Sequence, residues 1–117
     1  MIETYHDVAG EGDLVPGQTR AHLINGWPIL LCRSEAGLFA IINRCTHAAS
    51  PLEGGRIRRN TISCPLHSAR FDIASGQCIG AAYRPLKTFS VRIENGRVAI
   101  AVPNELPGDD QRPLSAG

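Results

Sequence analysis

Hydrophobic positions along this chain fall in short runs separated by turn-forming residues. Twelve Gly and eight Pro are spread so that no segment of helical length keeps a 3.6-residue apolar period. Short strands are the natural alternative. Residues 21–24 and 27–32 flank Asn25-Gly26, the dipeptide that accepts positive φ at both centres of a tight hairpin turn. Pro28 places part of the second strand at a sheet edge, because proline has no N–H to give to a ladder. Ser34-Glu35-Ala36-Gly37 makes the next turn, and the apolar run 38–42 reads as a buried strand. Residues 56–58 and 61–63 each set an isoleucine between polar neighbours around Arg59-Asn60, which predicts a second hairpin. Residues 88–93 alternate strictly, Asn95-Gly96 turns, and residues 97–102 return as the partner strand. Strands spaced roughly 8–12 residues apart predict an all-β fold, an antiparallel β-sandwich or small barrel.

At 117 residues the chain has the length of one ordinary domain, expected over residues 1–102. Residues 103–117 hold three Pro, two Gly and two Asp, and are expected to form a mobile C-terminal tail. No apolar stretch approaches the roughly 18 residues a membrane span needs. The first residues carry early acids and no apolar core, which argues against a secretory signal and makes the cytoplasm the expected location. Net charge is +1, too little to attract nucleic acid by bulk electrostatics, and the six aromatic residues are not interleaved with basic ones. The charge is unevenly placed. Residues 45–90 hold six basic and two acidic groups, whereas both flanking segments are net negative.

The chemistry concentrates in that basic third. Cys45-Thr46-His47 and Cys64-Pro65-Leu66-His67 offer C-x-H, sixteen intervening residues, then C-x-x-H. Two thiolates and two imidazoles thus come from two irregular loops, and the hairpin between them brings the loops together. A four-ligand metal site follows. Cys32 ends an apolar strand and reads as structural, Cys78 is unassigned, and His6 and His22 read as ordinary histidines. Structural zinc takes Cys₂His₂ ligands, but usually as a cysteine pair matched with a histidine pair on a helix. A [2Fe–2S] centre with two Cys on one iron and two His on the other suits the spacing better.

Those motifs resemble the Rieske signature. With Asn43-Arg44, Pro51-Leu52-Glu53-Gly54-Gly55, Phe71-Asp72-Ile73-Ala74-Ser75-Gly76 and Pro85-Leu86-Lys87-Thr88-Phe89, the text of residues 3–102 resembles the Rieske ferredoxins of bacterial aromatic-ring-hydroxylating dioxygenase systems. The resemblance implies a Rieske-like fold in which two loops form a cluster-binding subdomain holding one [2Fe–2S] cluster per chain. Cys45 and Cys64 would hold the inner iron, His47 and His67 the outer iron, and residues 80–85 would cover the cluster from a third side. It implies a one-electron carrier, not an enzyme by itself, that takes electrons from a flavoprotein ferredoxin reductase and delivers them to the Rieske centre of a terminal oxygenase. The alternative within the same resemblance is a small subunit of the nitrite-reductase type, serving redox sensing or assembly.

Two absences refine the expectation. Rieske proteins of respiratory cytochrome complexes carry an additional, disulfide-bonded Cys in each loop, where this chain has Ser50 and Leu66, so that bridge cannot form here. They also place Ser and Tyr hydroxyls near the cluster sulfurs, where this chain has Ala69 and Phe71. With those donors missing, the potential is expected toward the low end of the roughly −150 to +300 mV Rieske range. Ala48 and Ser68 stand where Gly is common after each histidine. Arg56, Arg58, Arg59, Arg70, Arg84 and Lys87 bracket the ligand loops and form a rim suited to an acidic partner surface.

Overall fold

The computed structural model describes residues 2–46, 50–65, 69–80 and 83–108. Eleven strands form three antiparallel sheets among these residues, with no helix. One sheet places β11 (Arg97–Pro103) between β1 (Glu3–Gly10) and β10 (Val91–Glu94). The second runs in the order β2 (Thr19–Ile24), β3 (Trp27–Ser34), β4 (Gly37–Ile42) and β9 (Thr88–Phe89). The third is built of β5 (Ile57–Arg58), β6 (Thr61–Ser63), β7 (Arg70–Asp72) and β8 (Cys78–Ile79) in chain order.

The three expected hairpin turns are present. Asn25 and Gly26 have φ of 52° and 81°, Asn95 and Gly96 have 52° and 76°, and Arg59 has 54°. Positive φ at both central residues gives the turn the twist of the strands it joins. Central β3 buries both faces, since Ile29, Leu30, Leu31 and Cys32 are each no more than 1% exposed. This is why its sequence is a continuous apolar run without alternation. The core continues through Ile41, Phe89, Val98 and Ile100, and the Trp27 and Phe89 rings meet edge to face at 5.9 Å.

Three expectations change. Pro28 does not mark a sheet edge: β3 has β2 on one side and β4 on the other, with Pro28 opposite Leu23. Proline is tolerated because β4 ends at Ile42. Beyond that point only the Pro28 carbonyl is used on that side, accepting from the Asn43 N–H at 2.9 Å. The alternating run 88–93 is not one strand. It changes sheets at Ser90, with β9 pairing to β4 and β10 pairing to β11, and the Ser90 carbonyl accepts from the Ala101 N–H at 2.9 Å. Alternation records which way side chains face, and a strand that switches partners keeps it.

The third change concerns the segment expected to be mobile from Pro103 onward, whose first residues are tied down. Strand β11 includes Pro103, Asn104 N–H donates to the Ile2 carbonyl at 2.9 Å, and Trp27 Nε1 donates to the Glu105 carbonyl at 2.9 Å. The indole N–H of a buried tryptophan needs an acceptor, and this segment supplies it. Residues 109–117 lie outside the described residues.

Candidate metal centre

Both cysteines of the paired motifs are buried and unbridged, Cys45 at 0% exposure and Cys64 at 3%. Their loops close in the same way. The Cys45 N–H donates to the Ser50 carbonyl at 2.7 Å and the Cys64 N–H to the Ala69 carbonyl at 2.8 Å, so each loop returns after five residues to the backbone of its own cysteine. A short closure of this kind holds a sulfur at one place with few backbone freedoms left.

Each loop is anchored differently. The first hangs on Asn43, a buried polar residue whose Oδ1 accepts from the N–H groups of Leu52 and Glu53 at 2.8 and 2.9 Å. Its backbone N–H reaches β3 through Pro28, so Asn43 joins the loop to the central strand. Leu52 is fully buried and pins the far end of the loop in the core. The second loop is the connection between β6 and β7, whose register pairs Ser63 with Arg70 and Ile62 with Phe71. Gly55 brings the two loops into contact: a Cβ there would lie 2.1 Å from the Ser63 carbonyl oxygen and 2.9 Å from that of Leu52. Only glycine permits that approach.

A direct side-chain contact between the loops is made by Ser50, whose Oγ lies 3.7 Å from Cys64 Sγ. A third segment joins them, because Thr46 Oγ1 donates to the Arg84 carbonyl at 2.6 Å. That segment is held in turn by the Leu86 N–H donating to the Gly76 carbonyl at 2.8 Å and the Ile42 N–H donating to the Lys87 carbonyl at 2.9 Å. Residues 81 and 82, within the stretch expected to cover the site, lie outside the described residues, as do His47 and His67. Of the expected ligand set, the two cysteines lie among the described residues, and Ser50 contacts both, the Cys45 backbone N–H through its carbonyl and the Cys64 sulfur through its hydroxyl.

The remaining candidates stand elsewhere. Cys32 lies on β3 between Thr19 and Phe39, and burial pushes its thiol up to about 12, so it stays protonated and inert. Cys78 sits on β8 opposite Phe71. His6 and His22 occupy β1 and β2 opposite Ile100 and Ile29, and burial, helped by the Arg20 charge, lowers the His22 pKa. The sequence names Asn43 and Gly55 only as part of the motifs and Ser50 only as the place of an absent cysteine, and assigns none of them a role. Gly55 carried a signal in the Gly54-Gly55 pair, whereas Asn43 and Ser50 act by contacts that spacing does not encode.

Charge around the loops is basic. A cavity of about 170 Å³ beside the first loop is lined by Arg44, Thr46, Arg84 and Lys87, and a groove of about 600 Å³ by Ile57, Arg58, Arg59, Thr61 and Arg70. Lys87 is partly committed to packing, its ammonium lying 5.5 and 5.2 Å from the Trp27 and Phe89 ring centroids. The described ion pairs, Arg20–Asp13, Arg92–Glu94 and Arg97–Asp7, all lie away from these loops.

Two buried thiols on matched, backbone-closed loops of an all-β chain are soft donors of the kind an iron–sulfur cluster takes. Residues 4–90 match the family described as the Rieske [2Fe-2S] domain, and the chain belongs to it. It is 34% identical over 101 residues to the ferredoxin component of the naphthalene 1,2-dioxygenase/salicylate 5-hydroxylase systems of Ralstonia sp., covering 86% of this chain and 97% of the relative. The ferredoxin of carbazole 1,9a-dioxygenase from Nocardioides aromaticivorans IC177 superposes with a TM-score of 0.77 at 28% identity, covering 83% of this chain and 96% of that one. A second carbazole 1,9a-dioxygenase structure, a complex of reduced oxygenase and oxidized ferredoxin, matches at 0.75 and 26% identity, covering 81% and 99%. The cofactor of this chain is the Rieske-type [2Fe–2S] cluster of its family.

Proposed function

We propose that this chain is the one-electron carrier of an aromatic-ring-hydroxylating dioxygenase system, taking electrons from a flavoprotein reductase and passing them to the Rieske centre of a terminal oxygenase. The observation that carries this reading is the pair of buried cysteines on matched loops, in a chain that spans nearly the whole of a dioxygenase ferredoxin component. Cys45, Cys64, His47 and His67 would hold the cluster, the cysteines supplying thiolates and the histidines neutral imidazoles. When bound, the cluster supplies reversible one-electron transfer, with a potential above that of an all-cysteine cluster because two neutral imidazoles replace two thiolates. This chain's own residues do the rest. Asn43 ties the first loop to the central strand, Gly55 lets the two loops approach, Thr46 ties the first loop to the segment at Arg84, and both cysteines are shielded from water.

Arg58, Arg59 and Arg70, with Arg56, Arg84 and Lys87 nearby, steer an acidic partner surface to the loop end. The test is reconstitution of hydroxylation from reductase, this protein and oxygenase. Product is expected only with all three present, and the transfer rate is expected to fall severalfold between 50 and 500 mM salt, as exposed charges become screened over less than about 10 Å. Turnover undiminished without this protein overturns the carrier role, and a salt-independent rate overturns the steering.

A further inference from the structure

Ser50 touches both cysteines through different atoms. Its carbonyl closes the first loop on the Cys45 N–H, and its hydroxyl crosses to the second loop, 3.7 Å from Cys64 Sγ. While Cys64 is a thiol, either atom has a proton to offer. A sulfur bound to metal has lost its proton, so in the loaded protein the only proton for this contact belongs to the hydroxyl. We propose that Ser50 is a positioning residue that also tunes the centre: its Oγ–H donates to the Cys64 sulfur and holds the reduction potential above the value this chain would otherwise have. The inference rests on the reading of Cys64 as an iron ligand.

The direction follows from charge. Reduction adds one electron and makes the ligand sulfur a more negative acceptor, and a hydrogen bond to a charged acceptor is stronger than one to a neutral acceptor. The Ser50 hydroxyl therefore stabilises the reduced state more than the oxidised one. Burial magnifies the difference, because Cys64 is only 3% exposed and little water is present to compete. The same hydroxyl adds a donor that the expectation drawn from Ala69 and Phe71 does not count. Those positions lack donors, but a donor reaches the cysteine sulfur from the opposite loop.

Redox titration of the loaded full chain and its Ser50→Ala variant, with iron and labile sulfide measured in each, tests this. At fixed applied potential the reduced-to-oxidised ratio is expected to fall about fivefold in Ser50→Ala, a shift of about 40 mV to more negative potential at 59 mV per tenfold. Ser50→Thr, which keeps the hydroxyl, is expected to restore the native value. If the alanine variant does not retain its iron, Ser50→Thr against Ser50→Val makes the same comparison at constant side-chain volume. Equal potentials within the fully loaded pair, while Cys64→Ala loses its iron, overturn this inference alone. Full iron in Cys64→Ala overturns the ligand assignment beneath it.

Discussion

The two ends of this molecule are stabilised by different means. In the base, β1, β2, β3, β4 and β11 are six to eight residues long, and their ladders enclose a continuous apolar core. At the loop end, β5 to β8 are two or three residues each. Strands that short contribute few ladder bonds, and a small sheet of them is marginal alone. What holds the loop end is a set of single contacts: two five-residue backbone closures, the Asn43 side chain, the close approach at Gly55, and a few buried residues such as Leu52, Ile62 and Phe71. The base is thus a scaffold that folds by burial. In the proposed reading the loop end is a ligand frame that the metal would complete.

Removing iron separates the two ends most directly. After anaerobic chelation, amide exchange in β6 and β7 is expected to speed up by more than about tenfold, while β3 and β4 change by less than about twofold. Uniform loss of protection in all four strands contradicts a scaffold independent of its metal. Gly55→Ala sharpens the comparison with a smaller effect. Its Cβ must move the Ser63 carbonyl, beside Cys64, so overpacking is expected to cost about 1–3 kcal/mol and to fall on iron retention before it falls on the base. Gly12→Ala, where nothing lies within 4 Å of the new atom, is the control and is expected to be nearly neutral. Equal iron content in the two variants contradicts the importance of that approach.

Legibility in the sequence divides along the same line. Hairpins whose turns need positive φ announce themselves, and Asn25-Gly26 and Asn95-Gly96 have the backbone their residues predict. The metal loops announce themselves by chemistry, since Cys45 and Cys64 have few bland explanations when each is paired with a histidine. Strand β1 went unread because its pattern is mostly polar and its partner is β11, at the other end of the chain, so no local turn marks it. The sheet switch at Ser90 was hidden by an alternation that continues through it. Strands β7 and β8 are too short to show a period of two. The contact from Ser50 to Cys64 depends on how two loops are set against each other, which the spacing of residues within either loop does not specify.

In the proposed ligand set His47 and His67 complete what Cys45 and Cys64 begin. The chain has four histidines, so a His6→Gln/His22→Gln variant leaves only these two. Low-temperature EPR of that variant, reduced anaerobically with dithionite and labelled with ¹⁵N-histidine, is the direct measurement. A rhombic signal with the low average g of histidine ligation is expected, unchanged from the native protein and coupled to two imidazole nitrogens. A signal without nitrogen coupling, or a silent sample holding zinc and no labile sulfide, contradicts it.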